Sequence, residues 1–223
     1  MRFLAHALAA CSLGLMALTA SAAPNNPQAG VEYKVLDKAQ PTESGNKVEV
    51  TEFFWYACPH CFALEPSLNE WVKKQGDKIV FKRVPVVFRE SFMPQQKLYY
   101  SLEAMGEIPR LHQKVFHAIH VERQPLNTDA AVADFVARNG VDKKKFLDVY
   151  NSFAVQTKAR RAAQLQADYK IDGVPTVAIG GKYITSPSIV GASMGNVPEQ
   201  TLHAASLEVM SALVDKAAKE GKK

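Results

Sequence analysis

Cysteine is scarce in this chain, with three in 223 residues, at positions 11, 58 and 61. Three are too few for a disulfide-stapled scaffold. A zinc site built on Cys58 and Cys61 would need two more ligands, usually a second Cys/His pair, and none stands at suitable spacing. His112, His117 and His120 are separated by five and three residues, a poor match to metal ligation. They read as partly exposed helix residues without chemistry. Charge of one sign is lacking too, with 27 Lys and Arg against 22 Asp and Glu. Without a clustered basic and aromatic surface, that mild excess argues neither for nucleic acid nor for a membrane patch. Internal repeats and low-complexity segments are absent. The longest apolar run, Ala7 to Leu18, has twelve residues and is interrupted by Cys11 and Ser12. A bilayer span takes about 20.

That run reads instead as the core of a secretory signal. Arg2 supplies the positive start, and Ala20-Ser21-Ala22 matches the small-x-small cleavage pattern, with polar Asn25-Asn26 soon after. Cleavage is expected after Ala22, giving a signal at 1–22 and a mature chain at 23–223. Leu8-Ala9-Ala10-Cys11 also resembles a lipoprotein processing site. Cutting there would leave a very short apolar core and put Leu13 to Ala17, not a polar tether, behind the lipidated cysteine. Loss of the signal removes Cys11 and Arg2, so two cysteines remain and the net charge falls from +5 to +4. Export implies an oxidising compartment, where a disulfide persists. The roughly 200 remaining residues suit one domain with a sizeable core and room for an inserted subdomain.

The two cysteines lie in Glu52-Phe53-Phe54-Trp55-Tyr56-Ala57-Cys58-Pro59-His60-Cys61. Val48 to Phe54 alternates as a strand does, while Leu64, Leu68, Trp71 and Val72 keep helical spacing. Cys58 therefore falls where a strand hands over to a helix N-terminus. Unpaired N–H groups and the helix dipole favour an anion there, which lowers a thiol's proton affinity. Pro59 suits the first helical turn because its missing N–H is no loss there. Cys61, one turn on, is close enough to form a disulfide with Cys58. A purely structural bridge would constrain so short a loop only weakly, which leaves redox chemistry. His60 lies beside the Cys58 thiolate and can stabilise it by charge or hydrogen bonding. Glu52 shares a strand face with Val48, Val50 and Phe54. Either it is desolvated, with a raised pKa, or it lies at a frayed strand end in water.

Cys58-Pro59-His60-Cys61 after Glu52-Phe53-Phe54 resembles the DsbA family of thiol oxidases, which has a thioredoxin fold and works in the bacterial periplasm. Cys-X-X-Cys alone is only thioredoxin-like, and the Pro-His pair is the more specific feature. Gly173-Val174-Pro175-Thr176 is the second match, because thioredoxin-like proteins place a cis proline opposite the cysteine pair. The resemblance implies that Val174 and Pro175 hold substrate in a strand-like pairing. It also implies that Glu52 passes a proton to or from Cys61, with Lys82 in the next strand as its basic partner. Cys58 is then the exposed nucleophile, Cys61 the buried partner, and the disulfide between them takes the place of a cofactor or metal. The implied substrates are reduced exported polypeptides, and the implied reoxidant is a DsbB-like, quinone-linked membrane protein acting on a monomer. Departures lie in Trp55-Tyr56-Ala57, in the helical insert and in the loop from Ser186 to Asn196. A disulfide isomerase or reductase is the alternative within redox chemistry. Outside it, the alternative is a peptide-binding chaperone. A dimeric isomerase would need an N-terminal dimerisation domain, and only some 25 mature residues precede the fold.

The remaining elements give an α/β chain. Tyr33 to Leu36 reads as an edge strand, and Ile79 to Val87 as another strand whose Pro85 marks an edge or an end. Pro66 should bend the motif helix. From about 95 to about 167 the spacing turns helical, with Thr128 as an N-cap and a stop at Asn139-Gly140. That stretch exceeds what a bare thioredoxin fold needs and predicts an inserted helical subdomain. Gly180-Gly181 predicts a two-residue hairpin turn. Asn196-Val197-Pro198-Glu199 predicts the N-cap of a final helix carrying Leu202, Ala205, Val209 and Leu213.

Overall fold

The computed structural model describes residues 26–221, so the signal, its cleavage point and Cys11 lie outside the described residues. The elements run β1 (Lys34–Val35), β2 (Val48–Phe54), α1 (Pro59–Gln75) and β3 (Ile79–Pro85). Five helices follow: α2 (Met93–Ala104), α3 (Ile108–His120), α4 (Asp129–Arg138), α5 (Lys143–Tyr150) and α6 (Phe153–Asp168). Then come β4 (Thr176–Ile179), β5 (Tyr183–Thr185), α7 (Pro187–Met194) and α8 (Glu199–Glu220). The sheet order is β1-β5-β4-β2-β3, with β2 and β3 parallel and the other neighbours antiparallel. This is a thioredoxin fold with a run of helices set between β3 and β4. Among the described residues no helix is long and apolar enough to cross a membrane.

β2 is central, and all seven of its residues are buried. Its even-numbered residues Val48 and Val50 join Leu64 and Leu68 of α1 and Val209 and Leu213 of α8 in one core. Phe53 and Phe54 belong to a second core shared with the helical insert, including Leu98, Leu111, Phe116 and Phe146. The two cores meet at the C-terminal end of β2, directly before the cysteines. Emptying a buried Phe site to Ala typically costs about 3–5 kcal/mol, so Phe54 anchors the insert against the redox strand. The parallel register sets Glu52 beside Arg83 and Thr51 beside Lys82. Pro85 closes β3, an edge strand whose outer side has no ladder to lose.

Three local expectations need correction. The β4–β5 register pairs Ile179 with Tyr183, so the turn has three residues, Gly180, Gly181 and Lys182. Both glycines have positive φ, and a Cβ on Gly181 would lie 2.2 Å from the Gln40 carbonyl oxygen. The close approach of that strand-flanking chain, more than turn type, demands glycine. The segment after Ser186 is not all loop, since Ser186 caps the helix α7 through Ile189 N–H. Asn196 does not cap the last helix. Pro198 holds the N-cap position, which leaves Glu199 as its first residue.

Candidate active site

Cys58 is the N-cap of α1, with Pro59 in the first turn. Its backbone is extended (φ −81°, ψ 116°), and its Sγ accepts the Cys61 N–H at 3.4 Å. The structure holds both cysteines as thiols. The Cys58 thiol pKa is lowered to about 6, first by its hydrogen bond with the Cys61 side chain, then by backbone N–H groups of Cys61 and His60 and by the charge of His60, against the opposing effect of burial. The Cys61 pKa is raised well above the ordinary thiol value by burial and by the neighbouring Cys58. The pair therefore separates into one acidic and one proton-retaining sulfur. Cys58 is less open than the exposed nucleophile expected from sequence. It is 6% accessible against 0% for Cys61, because the proline loop closes over it.

That loop carries the cis Val174–Pro175 peptide. The Cys58 thiol donates to the Val174 carbonyl at 3.4 Å, so the loop backbone touches the reacting sulfur. A groove of about 720 Å³ runs alongside, lined by His60, Gly173, Val174 and Thr176 and by Ser186 and Ile189 ahead of and within α7. His60 is exposed, and its Nδ1 lies 3.2 Å from Glu199 Oε1 at the start of α8. Glu199 is the first residue of that helix.

Glu52 is buried under α1, and the Arg83 Nε donates to its Oε2 at 2.8 Å. Its Oε1 has no hydrogen-bond partner among the described residues. Burial pushes its pKa up to about 7, Arg83 opposes the rise, and the charges of Glu65 and Cys58 add to it. The expected partner was Lys82, and the structure assigns that place to Arg83. Side chains alternate across a strand. Arg83 stands directly beside Glu52 on the α1 face, while Lys82 points to the other face and binds Glu49 at 2.7 Å and Glu43 at 3.4 Å.

Arg83 also donates through Nη2 to both oxygens of Glu65, at 3.0 and 3.2 Å, and to Asn69 Oδ1 at 2.8 Å. His112 is buried too, not partly exposed as its sequence context suggests. Its Nδ1 is 2.8 Å from the Tyr56 hydroxyl and its Nε2 is 3.3 Å from Glu65 Oε1. His120 Nε2 donates to the Tyr56 carbonyl at 2.8 Å, with its ring stacked on Phe62. Sequence reasoning missed Arg83, Glu65, His112 and Glu199. One of them left a signal: Glu65 follows Cys61 by one helical turn on the apolar stripe of α1. Arg83 is identified only by the β2–β3 register, which pairs it with Glu52.

The profile of the DSBA-like thioredoxin domain matches residues 90–206. The thiol:disulfide interchange protein DsbA of Burkholderia cepacia is 50% identical over 185 residues, covering 82% of this chain and 87% of that protein. The Pseudomonas aeruginosa protein of the same name is 41% identical over 174 residues, covering 78% of this chain and 80% of the relative. The crystal structure of Pseudomonas aeruginosa DsbA superposes with a TM-score of 0.80 at 36% identity, covering 88% of this chain and 97% of that one. With an acidic sulfur at a helix N-terminus, a buried sulfur behind it and a cis proline across the groove, the chain belongs to the DsbA family of thioredoxin-fold proteins.

Proposed function

We propose that this protein is a thiol:disulfide oxidase that donates a Cys58–Cys61 disulfide to reduced exported polypeptides. The observation that carries this reading is the split between the two sulfurs, with Cys58 titrating at about 6 and Cys61 far above it. A substrate thiolate attacks Cys58 Sγ, the Cys58–Cys61 bond breaks, and its electron pair goes to Cys61. Glu52, buried with a free Oε1, supplies the proton that Cys61 needs. A second substrate thiolate then attacks the substrate sulfur of the mixed disulfide, and Cys58 departs as a stable thiolate. The balance is one enzyme disulfide and two substrate thiols giving one substrate disulfide and the enzyme dithiol. During capture, the Val174–Pro175 loop pairs with the substrate backbone beside Cys58, and His60 supports the thiolate.

The reaction needs no cofactor or metal beyond the cysteine pair. A DsbB-like, quinone-linked membrane protein is the class of reoxidant that restores the disulfide. The place of action is the periplasm, reached by way of a signal at 1–22, and the protein works there as a monomer that carries a helical insert at about 95–167.

The test is trapping with a reduced unfolded substrate. Cys61→Ser removes the internal attack that resolves the mixed disulfide, so covalent adducts through Cys58 should accumulate. Cys58→Ser should give none, seen by non-reducing electrophoresis and mass. Equal adduct yields in the two variants would refute the assigned roles, and a Cys58→Ser variant with full activity would favour a peptide-binding module.

A further inference from the structure

Two carboxylates, Glu52 and Glu65, share one guanidinium, Arg83, in a buried site. Both ionised, they would leave an unbalanced negative charge out of water, so the trio favours holding one proton. The hydrogen-bond donors are distributed unequally. Glu65 receives two contacts from Arg83 Nη2 and one from Asn69 Nδ2 at 2.8 Å. Glu52 receives only Arg83 Nε, on Oε2. The proton therefore falls to Glu52, whose Oε1 is unpartnered, and Glu65 stays charged.

His112 adds to that inequality from outside the thioredoxin core. It projects from α3 of the helical insert and is 4% accessible. Its ring is packed by Phe54 at 5.4 Å, Phe116 at 5.2 Å and Tyr99 at 6.0 Å between centroids. The groups with polar or charged atoms facing it are Tyr56 from the β2–α1 loop, Glu65 from α1, Arg83 from β3 and Tyr99 from α2. Burial, with the charge of Arg83, holds the His112 pKa below the ordinary imidazole value against the raising effect of Glu65, so at neutral pH the ring is neutral and carries one N–H. His112 Nε2 faces Glu65 Oε1 at 3.3 Å, an oxygen that can only accept, which places the ring hydrogen on Nε2; the approach is too oblique to count as a formed hydrogen bond, and Nε2 has no other partner among the described residues. Nδ1 then accepts at 2.8 Å from the Tyr56 hydroxyl, whose proton is retained by burial.

We propose that His112, oriented by Tyr56, is a positioning residue that donates Nε2–H to Glu65, keeps Glu65 ionised on Arg83, and so leaves Glu52 as the group that holds the proton beside the cysteines. The proposal rests on the proton role given to Glu52 above. It makes the helical insert part of the redox centre. Without the His112 donor, Glu65 competes better for the shared proton. Glu52 is then ionised more often, and its charge disfavours the Cys58 thiolate.

The experiment follows the equilibrium with glutathione from about pH 5.5 to about pH 8.5, together with thiolate absorbance, for mature wild type and four variants. In His112→Phe the inflection belonging to Glu52 should move to lower pH by about half to one unit, and at neutral pH the equilibrium should shift about threefold toward the disulfide form. His112→Gln, whose amide N–H can reach Glu65, should restore most of the wild-type profile. Tyr56→Phe removes one hydroxyl and should move the inflection the same way by less. It carries the test if His112→Phe does not fold. An unmoved inflection in His112→Phe or, failing that, in Tyr56→Phe overturns the proposal. So does a His112→Gln profile that matches His112→Phe. Glu52→Gln separates the two levels of argument. If that variant itself keeps the wild-type inflection, the proton role of Glu52 fails and His112 falls with it. If Glu52→Gln loses the inflection and the His112 variants keep it, His112 alone is wrong.

Discussion

The two faces of the β2–β3 ladder carry the same chemistry to opposite ends. On each face an acid of β2 meets a cation of the adjoining β3: Glu52 with Arg83 under α1, and Glu49 with Lys82 on the other side. Glu52 and Arg83 are 1% and 11% accessible at their side chains; Glu49 is buried too, at 8%, and the two pairs differ in the cation, since Lys82 is 36% accessible. Under α1 the guanidinium serves two carboxylates and an amide, a fork geometry that a lysine ammonium cannot match. On the far face Lys82 binds two acids with one flexible ammonium in partial contact with water. What separates the redox-centre pair from the far-face pair, whose acid Glu49 is also buried but whose cation reaches water, is thus a one-residue alternation in a strand and the helix that covers it.

Breaking the buried pair should have the largest effect. Arg83→Met leaves Glu52 and Glu65 facing each other without a cation. Removal of one partner of a buried pair typically costs about 3–5 kcal/mol. Lys82→Met removes a partly exposed cation from the buried Glu49, which keeps the Glu43 N–H, and should cost less, about 1–2 kcal/mol. Urea unfolding of the reduced proteins at neutral pH compares them, and equal losses would mean that the two faces are energetically alike.

A smaller effect sharpens the comparison through pH. The folded Glu52 pKa is raised from 4.5 to about 7. A carboxyl raised in the folded state is neutral at no cost below its unfolded value, and the stability it permits is lost as pH climbs through the folded value. Between about pH 5 and pH 8.5 the wild type should lose about 2–3 kcal/mol that Glu52→Gln keeps. Lys82→Met should follow the wild-type slope. A Glu52→Gln slope parallel to wild type would place the carboxyl in water and remove it from the proton path.

How much of this was legible follows from which signals are local. The strand-to-helix handover at Cys58, the cap at Thr128 and the helical spacing between β3 and β4 depend on neighbours in the chain, and each is readable from a few residues. The pairing of Glu52 is not local. It depends on the parallel register of two strands separated by α1, and a one-residue error selects Lys82, which points to the wrong face. His112 was opaque for a related reason. Its burial depends on how α3 docks against Phe54 and Tyr56, a contact 56 residues away in sequence for the Tyr56 hydroxyl. The Glu199 contact was hidden by Asn196, which offers a plausible cap two residues before the real N-cap, Pro198.

The smallest of these effects concerns the cysteines that the α1 face serves. The folded Cys58 pKa is lowered from 9.0 to about 6. A depressed pKa contributes stability that is complete above the unfolded value and is lost as pH falls through the folded one. At pH 7 about one unit of the shift acts, or about 1.4 kcal/mol in the reduced form, rising to about 2.5 kcal/mol at pH 8 and nearly vanishing at pH 5. The oxidised form has no thiolate and keeps only the restraint of a very short loop, about 2 kcal/mol before strain. The two forms should therefore be close in stability at pH 7, with the dithiol gaining steadily toward pH 8 and the disulfide form ahead at pH 5. Denaturant unfolding of both forms at these three values measures the gap. Lys82→Met should leave it unchanged, because that cation binds its acids on the face away from the cysteines. Glu52→Gln should widen it above pH 7, where it removes a negative charge that opposes the thiolate. A gap independent of pH would mean that Cys58 is not acidic, and the driving force for donating the disulfide would be missing.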